Sequence, residues 1–175
     1  MLPKESALIR ICLILALMLP GLAAGQDVPP ARSPAALAVG FLSRVQAVLD
    51  RLGVAAEALE IRANRCSSPG GDRDDIFYIW IGMRGTTPGP AGPELRRLHA
   101  EWRSGGWTIT RMRELDNGGV NLAVREPGTG NGYALDSGFT AGPQYVAGFF
   151  DTPCFRNPDG PVRFGRLRLD PGDGQ

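Results

Sequence analysis

Hydrophobic residues recur with a helical period in the first ordered part of the chain. The segment from Pro34 to Leu52 has apolar residues three and four positions apart: Ala38, Phe41, Val45, Val48, Leu49 and Leu52. Arginine, glutamine and aspartate lie between them. One apolar stripe on an otherwise polar segment predicts an amphipathic helix. Ser33 is suited to cap its start and Gly53 to end it.

The same period returns from Glu94 onward. Leu95, Leu98 and Trp102 fall on one helical face, and Pro93 stands where a first-turn proline is tolerated. Gly105 and Gly106 supply a residue that can adopt positive φ at the helix end. The bulky and β-branched residues that follow, from 107 to 110, favour a strand.

Strands are predicted for most of the remaining chain, from the alternation of apolar and polar residues at 59–65 and from turn signals between the later segments. The predicted strands cover residues 59–65, 75–83, 108–115, 120–126, 133–139, 144–151 and a last edge strand at 162–169. Residues 75–83 are apolar on both faces, with Phe77, Ile79 and Ile81 on one side and Ile76, Tyr78 and Trp80 on the other. This pattern predicts a central strand covered twice. The Asn117-Gly118 pair predicts a hairpin in the meander that follows.

These elements predict one α+β domain spanning residues 33–169, in the order α-β-β-α-β-β-β-β, which does not count the last edge strand at 162–169. Two helices are expected on one face of a mainly antiparallel sheet. Residues 26–32 read as an extended leader because of Pro29 and Pro30, and residues 170–175 as a loose C-terminal tail.

The two helix ends also resemble each other in sequence. VQAVLDRLGV, residues 45–54, aligns without gaps on LHAEWRSGGW, residues 98–107, with identical alanine and glycine positions and matched apolar positions. Both segments predict a helix, a glycine and then a strand, which suggests an internal duplication.

Residues 1–25 have the pattern of a signal peptide. Lys4 and Arg10 precede a short apolar run, and small residues end at Gly25, after which cleavage is expected. Cys12 stands at the start of this run, where it is badly placed to carry a lipid. A secreted or extracytoplasmic protein is therefore predicted; the alternative is an uncleaved anchor.

Charge and composition exclude several functions. The chain has 19 basic and 18 acidic residues, and removing residues 1–25 leaves 17 of each. This balance gives no global basic footprint for nucleic acid. Lys4 is the only lysine, so the mature chain has neither a Schiff-base lysine nor a phosphate-loop lysine. No nucleic-acid partner and no cofactor are predicted.

Two cysteines remain after cleavage, Cys66 and Cys154. In an oxidising compartment they can form only one intramolecular disulfide, which is the predicted arrangement. A catalytic thiolate would need a histidine partner, and the only histidine, His99, lies inside the second helix. We expect His99 to be structural or exposed.

No familiar catalytic or metal-binding motif is present, so no catalytic or metal residue is predicted. The acidic cluster of Asp72, Asp74 and Asp75 reads as a solvated turn in preference to a calcium site, because Arg73 lies among them. The glycines at 128, 130 and 132 lie between two strands, where a hairpin turn is favoured over a phosphate loop.

Tyr78 and Trp80 are the candidate binding residues. If the helices cover the opposite face of their strand, these two side chains need another cover or form an exposed patch for a ligand or partner. Burial under the meander or the C-terminal segment is the competing interpretation.

The segments LHAEWRSGGWTITR and TPCF, residues 98–111 and 152–155, resemble those of small secreted and lipoprotein-like α+β domains of high-GC Gram-positive bacteria. The resemblance implies a late cysteine paired with one near the end of the first strand, and it supplies no catalytic residues. The expected function is non-catalytic binding of a protein or an envelope component. The alternative is an extracytoplasmic hydrolase with carboxylates among Glu101, Asp116 and Asp136.

Overall fold

The computed structural model describes residues 28–67, 73–138 and 142–169. The predicted signal peptide, the first two residues of the leader and the C-terminal tail lie outside this part. The described elements are helices α1 (Pro34–Leu52) and α2 (Ala91–Ser104) and strands β1 (Ala55–Arg65), β2 (Ile76–Thr86), β3 (Thr108–Glu114), β4 (Val120–Arg125), β5 (Gly132–Asp136), β6 (Tyr145–Asp151), β7 (Phe155–Arg156) and β8 (Gly165–Arg166).

Helix α1 begins and ends where the sequence predicts. The Ser33 hydroxyl accepts a hydrogen bond from the Ala36 amide at 3.3 Å, Pro34 occupies the first helical position, and Gly53 ends the helix with φ of 66°. Helix α2 begins at Ala91, so Pro93 lies in its first turn as expected. At its end Gly106 takes the positive φ, 78°, while Gly105 does not.

The strands form one sheet in the order β3-β4-β5-β6-β2-β1-β8, with β7 paired to the start of β2. Every pair of named strands is antiparallel. The predicted class, two helices on one face of a mainly antiparallel sheet, is confirmed. The C-terminal region differs in detail: β7 was not predicted, and the last strand is reduced from 162–169 to Gly165–Arg166.

The core lies between the helices and one face of the sheet. Phe41, Val45 and Leu49 of α1 and Leu95, Leu98 and Trp102 of α2 are at most 5% exposed. They pack in one cluster with alternate residues of the central strands, namely Phe77, Ile79, Ile81, Val120, Leu122, Val124, Tyr133, Leu135, Val146 and Phe150. This period-two burial fixes which side chains are left for the opposite face of the sheet.

The two helix ends share the same backbone geometry. The Val54 amide donates to the Leu49 carbonyl at 2.9 Å, and the Trp107 amide donates to the Trp102 carbonyl at 2.9 Å. Each helix is followed by a strand near one end of the sheet, β1 or β3, and then by the strand that pairs with it towards the centre, β2 or β4. The shared geometry accompanies the sequence repeat, and the duplication itself stays a prediction.

The predicted disulfide is present. Cys66 at the end of β1 is bonded to Cys154 between β6 and β7, with 6.2 Å between their Cα atoms. Next to this bond the amide of Arg156 donates to the Pro30 carbonyl at 3.0 Å, which attaches the leader to β7. Neither described helix combines the length and the apolar character needed to cross a lipid bilayer.

Candidate binding surface

The second face of the sheet lacks a covering layer in the described residues, because both helices pack on the core face. Strand β2 is central, as predicted. The helices cover only the face that carries Phe77, Ile79 and Ile81, so in the described residues the strand is not covered twice as expected. Tyr78 and Trp80 point to the second face, where both are half-buried. We call this surface, formed by the residues of β1–β6 and β8 that point away from the helices, the open face.

Trp80 lies flat on the open face. A Cβ atom added to Gly82 would stand 2.2 Å from the indole ring, so the ring occupies the space above this glycine. On the neighbouring strand β6 the ring of Phe149 lies 6.0 Å from that of Trp80, with 32° between the ring planes. Phe149 is 47% exposed. The two rings therefore form one apolar platform that water can reach.

Small residues surround the platform. Across the sheet, cross-strand pairing aligns Ala123, Ala134, Phe149 and Gly82 in one row, and Ala147 lies in the next. Side chains of this size leave the backbone close to the surface between the larger residues. The open face is thus a shallow trough in which the rings of Phe149 and Trp80 lie.

Charged residues frame the trough, and most of them are arginines. Pairing across the strands places six arginines and three carboxylates on the open face: Arg62, Arg84, Arg111, Arg113, Arg125, Arg166, Glu60, Asp136 and Asp151. Glu57 lies in the bulge of β1, which the pairing does not assign to a face.

Several of these charges are held in place by neighbours. Arg125 forms an ion pair with Asp151, and Arg166 with Glu60 at 3.2 Å. The side-chain amide of Asn121 donates to the Asp136 carboxylate at 2.6 Å. The exposed Arg84 and Arg113 have no hydrogen-bond or ion-pair partner among the described residues.

Two open depressions meet at Trp80. One, of about 580 Å³, is lined on the β1, β2 and β6 side by residues that include Leu59, Arg84 and Phe149. The other, of about 600 Å³, lies towards the disulfide and is lined by residues that include Tyr78 and Arg125. The candidate residues Tyr78 and Trp80 therefore belong to one extended surface.

The carboxylates named for a hydrolase do not come together. Glu101 forms ion pairs with Arg51 and Arg97 on the helix side of the sheet. Asp136 lies on the open face and accepts from the Gly138 amide at 2.8 Å, while Asp116 is exposed in the β3–β4 turn. They are thus divided between the two sides of the sheet and a turn.

The acidic loop residues pair with arginines. Asp74 binds Arg65 at 2.6 Å, and Asp75 binds Arg73 at 2.7 Å. The hydrogen bond from Arg73 lowers the pKa of Asp75 below its ordinary value. Asp72 lies outside the described residues, within which no group of three potential metal ligands forms.

A partly buried polar cluster at the β4–β5 turn was not predicted. The Glu126 carboxylate, with 16% of its side chain exposed, accepts from Asn131 at 2.9 Å, from Arg44 at 2.9 Å and from the Thr129 hydroxyl. The Tyr133 hydroxyl lies 3.4 Å from it. Burial and then the charge of Glu126 raise the pKa of Tyr133 well above its ordinary value. These bonds close the predicted hairpin turn, in which Gly128 and Gly130 have positive φ.

Comparisons with protein families, with curated proteins and with solved structures give no match to this chain. The resemblance to small secreted and lipoprotein-like domains therefore stays a prediction.

Proposed function

We propose that this chain is an extracytoplasmic binding domain whose open face binds a polysaccharide of the cell envelope. The disulfide supports the compartment, because such bonds persist in oxidising surroundings and are rare in the cytosol. The N-terminal pattern of a charged segment, an apolar run and small residues supports export.

The observation that carries the proposal is the flat placement of Trp80 beside the exposed ring of Phe149. Contiguous exposed apolar surface framed by polar residues marks binding sites on proteins, whereas single exposed apolar residues are common. A flat indole offers an apolar plane to the C–H face of a sugar ring, while the polar side chains around it can bond to hydroxyl groups. A shallow open trough also suits a long chain better than a small compact ligand, which binds in enclosed clefts.

A hydrolase is the weaker alternative. Glycoside hydrolysis needs two carboxyl groups on either side of one scissile bond. Glu101 and Asp136 lie on opposite sides of the sheet, and Asp151 is held by Arg125 beside Trp80. No observation in the described residues favours a catalytic pair.

A sedimentation assay with insoluble envelope polysaccharide of the producing organism tests the proposal. The wild-type protein should pellet with the polysaccharide, and Trp80→Ala and Phe149→Ser should each remain in solution. Val28→Ser is the matched control, because Val28 is a 69% exposed apolar residue that is not part of the open face.

The melting temperature of each variant separates loss of binding from loss of folding. Folded Trp80→Ala and Phe149→Ser proteins that pellet like the wild type would disprove the proposed surface. Binding that survives digestion of the polysaccharide but is lost after protease treatment of the pellet would show a protein partner instead.

A further inference from the structure

We infer that the polysaccharide bound by the open face carries carboxylates, and that Arg84 and Arg113 are the residues that bind them. This inference rests on the proposed function, whose ligand class it narrows. It is based on the sign of the charges on the open face, which the proposed function does not use.

The open face has twice as many arginines as carboxylates, six against three. Adding Glu57 of the β1 bulge leaves an excess of two. After residue 25 the chain carries 17 basic and 17 acidic residues, so the remaining surface must be net acidic. Positive charge is therefore concentrated on the sheet face that no described element covers, which complements an anionic ligand.

Arg84 and Arg113 are the arginines of this face best placed to act on a ligand. Arg125, Arg166 and Arg111 already bond to Asp151, Glu60 and Asn121. Arg62 also forms an ion pair with Glu60, at 3.8 Å. Arg84 and Arg113 are exposed and make no such bond to a described residue. A guanidinium group presents its donors in a planar fork that matches a carboxylate, so each can bind one without first breaking an internal pair.

The positions of these two residues set the form of the ligand. The two arginines lie in one row across the sheet, from β2 to β3. The successive cross-strand partners in this row are Arg84, Ala147, Asp136, Asn121 and Arg113. Four strand spacings separate them, or about 19 Å. One sugar ring cannot reach both. The ligand must be a chain with repeated carboxylates that crosses the strands, next to the platform formed by Phe149 and Trp80.

The experiment uses the envelope polysaccharide before and after its carboxylates are converted to neutral amides with carbodiimide and ethanolamine. We expect amidation to weaken binding at least tenfold. Arg84→Gln and Arg113→Gln should each weaken binding to the untreated polysaccharide about 10-fold, as expected for loss of a charge-assisted pair. Arg103→Gln, an exposed arginine on α2, is the control that should bind like the wild type.

Polygalacturonate and its methyl ester give the same comparison with a defined chain. The acid should bind and the ester should not, and binding should fall as salt screens the charges. Galacturonate monomer should not compete at equal carboxylate concentration, because it cannot span the two arginines.

Three results would overturn the inference. Undiminished binding after amidation, with Trp80→Ala still unable to bind the polysaccharide, would leave the proposed function intact and exclude carboxylate recognition. Single-stranded DNA that displaces the untreated polysaccharide at a lower concentration than polygalacturonate does would assign the surface to nucleic acid. No binding of any polysaccharide by folded wild-type protein would refute the inference together with the proposed function.

Discussion

The indole of Trp80 occupies the volume that a side chain at Gly82 would need, since an added Cβ would lie 2.2 Å from the ring. Gly82→Ala should therefore displace the ring from the sheet and leave the packing of the core unchanged. Because the ring is on an open face and can move outward, we expect the unfolding free energy to fall by only about 1 kcal/mol. Polysaccharide binding should fall with the loss of the flat platform, as measured by sedimentation.

Gly148→Ala provides the matched comparison for that substitution. A Cβ at Gly148 would stand 2.7 Å from the Phe150 ring and 2.9 Å from the Met83 side chain, both of which are buried in the core. This variant should lose about 2 to 3 kcal/mol in urea unfolding, because neither neighbour has free space to move into. Equal stability of the two variants would contradict the assignment of the faces.

Phe149 and Phe150 are adjacent in β6 but should differ sharply in their contribution to stability. Phe150 is fully buried, whereas Phe149 is 47% exposed. Phe150→Ala should reduce the unfolding free energy by about 3 to 5 kcal/mol, and Phe149→Ala by about 1 kcal/mol. Chemical denaturation measures both, and the reverse order of losses would contradict the placement of these two rings on opposite faces of β6.

Loss of the disulfide should destabilise the fold strongly. The bond joins residues that are 88 positions apart, so it restricts a long loop of the unfolded chain. The double variant Cys66→Ser, Cys154→Ser should lose about 4 kcal/mol relative to the oxidised protein. Urea unfolding of both proteins, with reduced wild type as the control, measures the difference; an unchanged midpoint would show that the bond contributes nothing.

Tyr133 should make the fold sensitive to alkaline pH. Its pKa is raised above the ordinary value by burial and by Glu126, so the folded state retains a proton that the unfolded state releases. The resulting stability is complete below the unfolded pKa of about 10 and is lost as the pH rises towards the folded pKa. Tyr133→Phe should abolish this part of the stability loss between about pH 10 and 12, measured by urea unfolding at each pH.

Local patterns account for most of the fold. Helix α1 needed only its apolar period and the caps at Ser33 and Gly53, which are all within one segment. Strand β1 begins at Ala55, four residues before the predicted start at Leu59. The sequence did not indicate this first part because it is mainly alanine and shows no alternation of large apolar and polar residues. The described part of the C-terminal region pairs only in two-residue segments, and the positive φ of Gly165, 113°, interrupts the extended backbone that the predicted strand would need.

The candidate surface was predictable only in part. Alternation in β2 places Tyr78 and Trp80 opposite the core, which the sequence shows directly. Phe149 was missed, although the adjacent Phe149 and Phe150 must point to opposite faces of a strand. The row that joins Arg84 to Arg113 depends on the order β3-β4-β5-β6-β2, which arises from pairings between distant segments. No local pattern contains that order.

The position of the disulfide also determines what happens when the chain is cut. The segment between Cys66 and Cys154 contains β2, α2 and the strands β3–β6. The row that joins Arg84 to Arg113 lies entirely on these strands. A single break in any loop of this segment produces two polypeptides that remain covalently joined. The open face can thus stay assembled after a protease nicks the protein in this segment. Such a nicked molecule would migrate as one band until it is reduced.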